Sequence, residues 1–243
     1  MTQLPSSQSG ATQHPSEYSI RVVVFDCDGV LLDSKDANVK FYNSILAHFQ
    51  RPSVRADQVE YLHMHSAQES LRFLFDGSML FEEAWAYCQG MDFSQFNPYL
   101  RTEPGLLPFL RALKPSYHIA LATNRTVSTE DVLAHFELRP YFDCVVTAAD
   151  VTFPKPHRES MERIFEAFSA SPREVLFIGD SKVDEQLARS TEVIFVAYKN
   201  PHLEAHIHID HFRQLYPVLL NNRDQQSAQV HPGHHSERLG KVK

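Results

Sequence analysis

The sequence predicts an α/β fold in which a doubly wound parallel sheet carries an inserted, all-helical cap domain. Two observations lead to this prediction. Short apolar runs alternate with helical stretches after Pro104 and Gly105, as expected of βα units. Residues 34–100, in contrast, follow one apolar strand and have helical periodicity without a strand signal. The helical block therefore interrupts the sheet-forming part of the chain and is expected to lie over the sheet.

The first elements follow from their apolar patterns. The β-branched run at 21–25 predicts a buried strand. After Ser34, apolar side chains recur at helical spacing, at Val39, Tyr42, Ile45, Leu46 and Phe49. Ser66 and Glu69 have the spacing of a capping box at the start of a second cap helix. Phe81, Ala84, Trp85 and Cys88 mark a third.

The second half alternates helices with strands. The predicted helices are 105–113, 128–136, 157–169, 182–190 and 211–220. The predicted strands are 118–122, 143–147, 175–179, 193–197 and an edge strand at 206–210. Together with the first strand they give six strands, enough for an open sheet with helices on both faces.

Composition suggests four parts of the chain. Residues 1–19 and 223–243 are polar, so they are predicted to be a disordered leader and a disordered tail. Residues 20–33 and 101–222 are assigned to the α/β core, and 34–100 to the helical cap. The sequence leaves the oligomeric state open between monomer and homodimer.

Charge and cysteine content narrow the possible partners and location. A net charge of −7 argues against nucleic acid or an anionic membrane as a partner. No apolar run reaches membrane-spanning length, and the first residues have no secretory h-region. Three cysteines without close pairing fit a reducing compartment. A cytoplasmic enzyme is therefore expected.

The most informative segment is the strand end Phe25-Asp26-Cys27-Asp28-Gly29. Residues two apart on an extended chain face the same way, so Asp26 and Asp28 can approach one cation. Two carboxylates this close stay ionised only with compensation, which favours a divalent metal. An EF-hand is excluded because Val30 and Ala37 stand where that loop needs ligands.

Polar residues also follow three other predicted strands or their loops. They are Thr123 and Asn124, Lys155 between two prolines, and the run Gly179-Asp180 to Asp184. Because ligands of open α/β sheets bind outside the carboxyl ends of the strands, we expect these groups to converge.

These segments resemble the four motifs of the haloacid dehalogenase superfamily, whose core is a Rossmann-like sheet. The helical insert resembles the cap of its phosphoglycolate phosphatase-like branch. The resemblance covers about residues 20–215. It implies that Asp26 is the nucleophile of a phosphatase that forms an aspartyl-phosphate, and that Asp28 is the general acid and base.

The resemblance also implies a cofactor and a substrate site. Mg²⁺ would be held by Asp26, the main-chain carbonyl of Asp28, Asp180 and Asp184. Phosphate oxygens would be bound by Lys155 and Thr123, with Asn124 and Arg125 within reach. On the cap, the expected substrate contacts are His63, His65 and Ser66. The substrate would be a small phosphorylated metabolite, such as phosphoglycolate or a sugar phosphate.

Other interpretations stay open at this stage. The metal-independent dehalogenases lack the second acid of the first motif, so Asp28 favours phosphate chemistry. A sugar-phosphate mutase would share the core motifs, and a non-catalytic phosphate-binding module is a further alternative. Histidines at His206, His208, His211, His231, His234 and His235 raise the question of a metal site, but their context does not favour one.

Overall fold

The structure is a computed structural model that describes residues 19–76, 78–126 and 128–220. Apart from Ser19, the predicted leader lies outside the described residues, as does the predicted tail with its three histidines. None of the helices in the described ranges is long and apolar enough to cross a membrane.

A six-stranded, all-parallel sheet forms the centre of the fold, in the order β5-β4-β1-β6-β7-β8. The strands in chain order are β1 Val22–Phe25, β2 Leu32–Asp33, β3 Arg101–Thr102, β4 His118–Ala122, β5 Cys144–Val146, β6 Val175–Gly179, β7 Ile194–Tyr198 and β8 Ile207–Ile209. The predicted α/β fold class is therefore confirmed. The short β2 and β3 pair antiparallel as a separate ribbon, which the sequence did not predict.

The helices divide between the core and the inserted block. Those of the block are α1 Lys35–His48, α2 Val59–Met64, α3 Ala67–Leu74 and α4 Phe81–Gln89. Those of the core are α5 Leu106–Leu113, α6 Thr129–His135, α7 Glu159–Phe168, α8 Lys182–Thr191 and α9 Tyr216–Leu219.

Helices cover both faces of the sheet, which explains why β1 is apolar at every position. Val23 and Phe25 pack in one cluster with side chains of α5, α6 and α9. Val22 and Val24 pack in a second cluster with side chains of α7 and α8. All four β1 side chains are fully buried, so the strand is a rigid base for the residue that follows it.

The inserted helices have an apolar cluster of their own. Buried side chains of α1, α3 and α4 meet there, including Ile45, Leu71 and Ala84. The ribbon of β2 and β3 stands where the chain leaves the core and returns to it. The cap is thus joined to the sheet by two adjacent strands. A cleft between the cap and the sheet opens beside β1.

The C-terminal helix differs from the sequence prediction, and the end of α8 and the side chain of Cys27 complete the description of the core. The segment predicted as one helix at 211–220 is a 3₁₀ turn at Phe212–Leu215 followed by α9. Helix α8 lacks a terminal glycine, and Glu192 takes the left-handed conformation there with φ 58°. Cys27 is fully buried in the core cluster, as expected of a small apolar side chain.

Candidate active site

Asp26 continues the line of β1 beyond the end of the sheet. Its amide donates to the Ile178 carbonyl of β6 at 2.9 Å, which fixes the backbone of Asp26 against that strand. The side chain is buried, and its Oδ1 accepts a 2.6 Å hydrogen bond from the Cys27 amide. The sheet therefore holds the Asp26 carboxylate at one position, with its second oxygen free of that contact.

Lys155 lies between two carboxylates. Its Nζ is 2.8 Å from Asp26 Oδ1 and 2.7 Å from Asp184 Oδ1, and only 2% of its side chain is exposed. Asn124 fixes the Lys155 backbone, because its side chain accepts from the Lys155 amide and donates to the carbonyl, both at 2.9 Å. Burial would lower the pKa of Lys155, but the two carboxylates outweigh it, raise that pKa and keep the ammonium charged.

Asp184 is held by the loop between β6 and α8. Its Oδ2 accepts hydrogen bonds from Ser181 Oγ at 2.6 Å and from the amides of Ser181 and Asp180. A side chain on Gly179 would come within 2.4 Å of Asp184 Cβ. The Gly-Asp pattern thus reflects close contact between the loop and the first turn of α8.

Gly29 has a comparable role on the β1 side. It adopts φ +82°, and a Cβ there would lie 2.0 Å from Asp180 Oδ2. Asn200 donates to the Asp180 carbonyl at 2.8 Å from the far side. Glycine is therefore required for the turn after Asp28 to pass close to Asp180.

A cation fits among the acidic side chains. Asp26, Asp180 and Asp184 each offer a carboxylate oxygen, and these three atoms lie within 4.8 Å of one another. Burial, and then the charge of Asp184, raises the pKa of both Asp26 and Asp180. Lys155 alone does not neutralise three carboxylates, and oxygen ligands of this kind suit Mg²⁺.

Asp28 is not part of this acidic cluster. Its carboxylate forms a two-pronged ion pair with Arg125, at 2.5 Å to Nη2 and 3.2 Å to Nε, and the guanidinium also donates to Ser128. Burial would raise the pKa of Asp28, but the Arg125 charge and hydrogen bonds hold it below its usual value. Sequence reasoning placed Arg125 near the substrate, and the structure shows its head group committed to Asp28.

Thr123 and Asn124 border the space in front of Asp26. Thr123 is buried at the end of β4, and its Oγ1 accepts from the Arg125 amide at 3.0 Å, which leaves the hydroxyl hydrogen able to donate elsewhere. Asn124 also donates to the Met64 carbonyl of the cap at 3.2 Å. Asn124 therefore contacts the Lys155 loop and the cap at once.

The cap places His63 beside Asp180, at the carboxyl edge of the sheet. Its Nε2 is buried without a hydrogen-bond partner and lies 3.9 Å from Asp180 Oδ2. Its Nδ1 pairs with the Asn38 amide at 3.1 Å. Asn38 was missed by sequence reasoning, because one polar residue in an amphipathic helix gives no signal of its own.

The other two cap residues have different surroundings. His65 lines the cleft, with its ring stacked on Tyr61 and its Nδ1 at 2.9 Å from the Tyr61 carbonyl. Ser66 is the N-cap of α3 and completes the predicted capping box with Glu69. The structure therefore places Ser66 at a helix end and not in the cleft.

The histidines at 206, 208 and 211 form hydrogen bonds with backbone groups of the core. Each pairs a ring nitrogen with a backbone group: His206 with the Phe195 amide, His208 with the Leu203 carbonyl and His211 with the Arg213 amide. Within 19–220, excepting 77 and 127, the acidic cluster is the one group of residues found with the spacing of metal ligands.

Comparison with known families agrees with this geometry. A family model described as haloacid dehalogenase-like hydrolase matches residues 23–198, which include every predicted motif residue. The matched segment also spans the inserted helices.

Individual relatives support the same assignment. A crystal structure of a HAD-superfamily hydrolase, subfamily IA, variant 1, from Geobacter sulfurreducens PCA is 38% identical, with a TM-score of 0.68 over 83% of this chain and 97% of that one. Pyrophosphatase PpaX of Bacillus mycoides is 26% identical over 68% of this chain and 77% of its own length. A predicted phosphoglycolate phosphatase from Haemophilus somnus 129PT shares the fold, with 21% identity and a TM-score of 0.72 over 82% of this chain and 98% of that one.

Proposed function

The chain belongs to the haloacid dehalogenase-like hydrolases, and we propose that it is a Mg²⁺-dependent phosphatase of small phosphorylated metabolites. The observation that carries the proposal is the position of Lys155, buried between Asp26 and Asp184 at the carboxyl ends of the strands. A fixed cation beside a buried carboxylate at this edge suits the transfer of an anionic phosphoryl group.

Asp26 is the nucleophile in this proposal. Its oxygen attacks phosphorus while the bond from phosphorus to the ester oxygen breaks, so the enzyme holds an aspartyl-phosphate and the alcohol departs. Lys155 neutralises charge on Asp26 and on the phosphoryl oxygens, and the Thr123 hydroxyl donates to one of them. Fixed donors of this kind stabilise the transition state because they need not reorganise during the reaction.

Asp28 is the general acid and the general base in this proposal. It donates to the departing alkoxide in the first step and accepts a proton from water in the second, when water attacks phosphorus and releases Asp26. The ion pair with Arg125 keeps Asp28 ionised, which is the form needed to activate water. The first step requires that Asp28 take up a proton, so the pair with Arg125 must loosen when substrate binds.

Mg²⁺ would be held by the carboxylates of Asp26, Asp180 and Asp184, which lie close enough together to share one ion, and by the main-chain carbonyl of Asp28, as the family resemblance implies. Bound there, it would neutralise charge that develops on the phosphoryl oxygens.

The free thiols at Cys27 and Cys88 are buried, and that at Cys144 is half-buried, which is in keeping with the proposed cytoplasmic location.

The proposal is tested by phosphate release from a panel of phosphate monoesters, with Mg²⁺ and with a chelator. The Asp26→Asn variant should keep the fold and lose at least about 10³-fold in kcat, since no nucleophile remains. Asp36→Asn is the matched control, because Asp36 is exposed at the start of α1, outside the cleft, and should retain activity.

Two outcomes would contradict it. Equal phosphate release by the wild type and the Asp26→Asn variant would remove Asp26 from the chemistry and favour a non-catalytic phosphate-binding module. Isomerised sugar phosphate without free phosphate, detected by phosphorus NMR, would favour the mutase alternative.

A further inference from the structure

The cleft between the cap and the sheet has an apolar wall on the cap side. The space enclosed there is about 70 Å³, and the cleft is open to solvent at its mouth. The wall is built from Phe41, Leu62, Phe93, Phe96 and Leu100 of the cap, and Val132 of α6 adjoins it from the core. The ring of Phe41 contacts those of Phe93 and Phe96, at centroid distances of 5.5 and 5.6 Å. This wall is where the group attached to phosphate would lie.

Cations are scarce along this cleft. Among the described residues that line it, Arg125 is the one lysine or arginine, and it already forms the two-pronged pair with Asp28. Lys155 is likewise committed to Asp26 and Asp184. A second anionic group on the substrate would therefore be buried without an opposite charge from a lysine or arginine, which disfavours the binding of such a group.

The cap does offer a neutral donor. The amide nitrogen of Asn38 donates to His63 Nδ1, so that nitrogen carries no proton and the ring proton lies on Nε2. This Nε2–H group is buried without a partner beside the catalytic carboxylates. It is poised to donate to an uncharged oxygen of the substrate near the ester bond.

From these three features we infer that the substrate is a phosphate monoester of an uncharged alcohol with an aromatic or branched apolar group. The inference rests on the proposed phosphatase function and narrows its substrate class. It excludes leaving groups that carry a phosphate or carboxylate, such as those of pyrophosphate, phosphoglycolate or a sugar bisphosphate.

Matched esters test the inference. Benzyl phosphate and 2-phosphoglycolate both release a primary alkoxide, and they differ in the ring or carboxylate that meets the cap. At about pH 8, where histidines are ordinarily neutral, kcat/KM with Mg²⁺ should be at least about tenfold higher for benzyl phosphate than for 2-phosphoglycolate or pyrophosphate. A preference for either of the two charged substrates overturns the inference and leaves the phosphatase proposal standing.

Cationic substitutions in the cleft should shift the preference between benzyl phosphate and 2-phosphoglycolate in a direction that the inference specifies. Phe93 is half-buried on the wall, so Phe93→Arg should lower kcat/KM for benzyl phosphate and raise it for 2-phosphoglycolate. Asn97→Lys, also half-buried on the cleft, is a second route to the same reversal if the first variant folds poorly. Phe73→Arg is the matched control, since Phe73 is exposed on α3 outside the cleft, and it should leave the preference unchanged. No change of preference in either cleft variant counts against the inference.

Binding separates failure of the inference from failure of the proposed function. Calorimetry on the Asp26→Asn variant, with Mg²⁺, should show tighter binding of benzyl phosphate than of 2-phosphoglycolate. That result supports the substrate class even if the wild type released no phosphate, which would overturn the phosphatase proposal alone. Tighter binding of 2-phosphoglycolate overturns the inference.

Discussion

At the scale of single residues, the ion pair of Asp28 with Arg125 bears directly on the proton-transfer role proposed for Asp28. The distances of 2.5 and 3.2 Å place Arg125 beside a carboxylate that, in the proposed function, must gain and lose a proton during turnover. A carboxylate held ionised serves well as a base and poorly as an acid. Arg125 therefore sets the pH range in which Asp28 can perform each task.

Replacing Arg125 by methionine should move the pH dependence of kcat. Without the guanidinium, the pKa of Asp28 rises, so the limb of the profile that Asp28 governs should shift to higher pH, by about 1–3 units. The direction is the same whether Asp28 limits the rate as acid or as base. Arg163→Met, which removes an exposed ion pair with Glu159, is the control and should leave the limb in place. An unmoved limb with a raised KM would instead assign Arg125 to substrate binding.

The residues of the motifs could be predicted from the sequence, whereas their pairings could not. Asp26, Thr123, Lys155 and Asp180 each follow a strand or its loop, so strand direction alone brings them to one edge. The pairing of Arg125 with Asp28 depends on how the loop after β4 turns, which no local pattern specifies. The unpartnered Nε2 of His63 depends on where the cap lies over the sheet, and that is a long-range property.

At the scale of elements, the N-terminus of helix α3 shows a serine that stabilises a helix end, although it was also expected to contact substrate. Ser66 and Glu69 exchange hydrogen bonds at its N-terminus, with Ser66 Oγ at 2.6 Å from Glu69 Oε2. The sequence indicated this capping box, yet the same serine was also expected to contact substrate. The hydrogen bonds that Ser66 makes as the N-cap of α3 now account for its side chain.

Replacement of Ser66 by alanine should therefore affect stability more than catalysis. Loss of an N-cap costs about 1 kcal/mol, so Tm should fall by about 2–4 °C while KM for a small phosphate ester stays unchanged. Ser53→Ala is the control, because Ser53 is exposed in the loop after α1 and does not line the cleft. A raised KM with an unchanged Tm would restore Ser66 to the substrate site.

Two features at the boundaries of elements could not be predicted from sequence patterns. The ribbon of β2 and β3 has two residues in each strand, too few for alternation to be seen. Helix α8 ends without glycine because Glu192 takes the left-handed conformation itself. Both features depend on contacts formed after the chain has folded, not on local propensity.

At the scale of the whole molecule, the two parts of the protein divide the chemistry. The proposed nucleophile Asp26, Lys155 and the acidic cluster lie at the carboxyl ends of the buried strands or in the segments that follow them, and the fold class that the sequence predicted is enough to bring them to that edge. The cap contributes the apolar wall and the neutral donor that face the leaving group. In the proposed function, reactivity is set by the sheet and selectivity by the cap, so changes in the cap should alter the preference among esters more than the chemistry itself.

The central claim is that phosphate passes through the Asp26 carboxylate. It is tested most directly by rapid acid quench of the enzyme during turnover of a labelled monoester with Mg²⁺, followed by peptide mass spectrometry. Phosphate bound to Asp26, and absent from the Asp26→Asn variant, is the result expected from the geometry. Phosphate on another residue, or turnover with no phosphorylated peptide at any quench time, would contradict it.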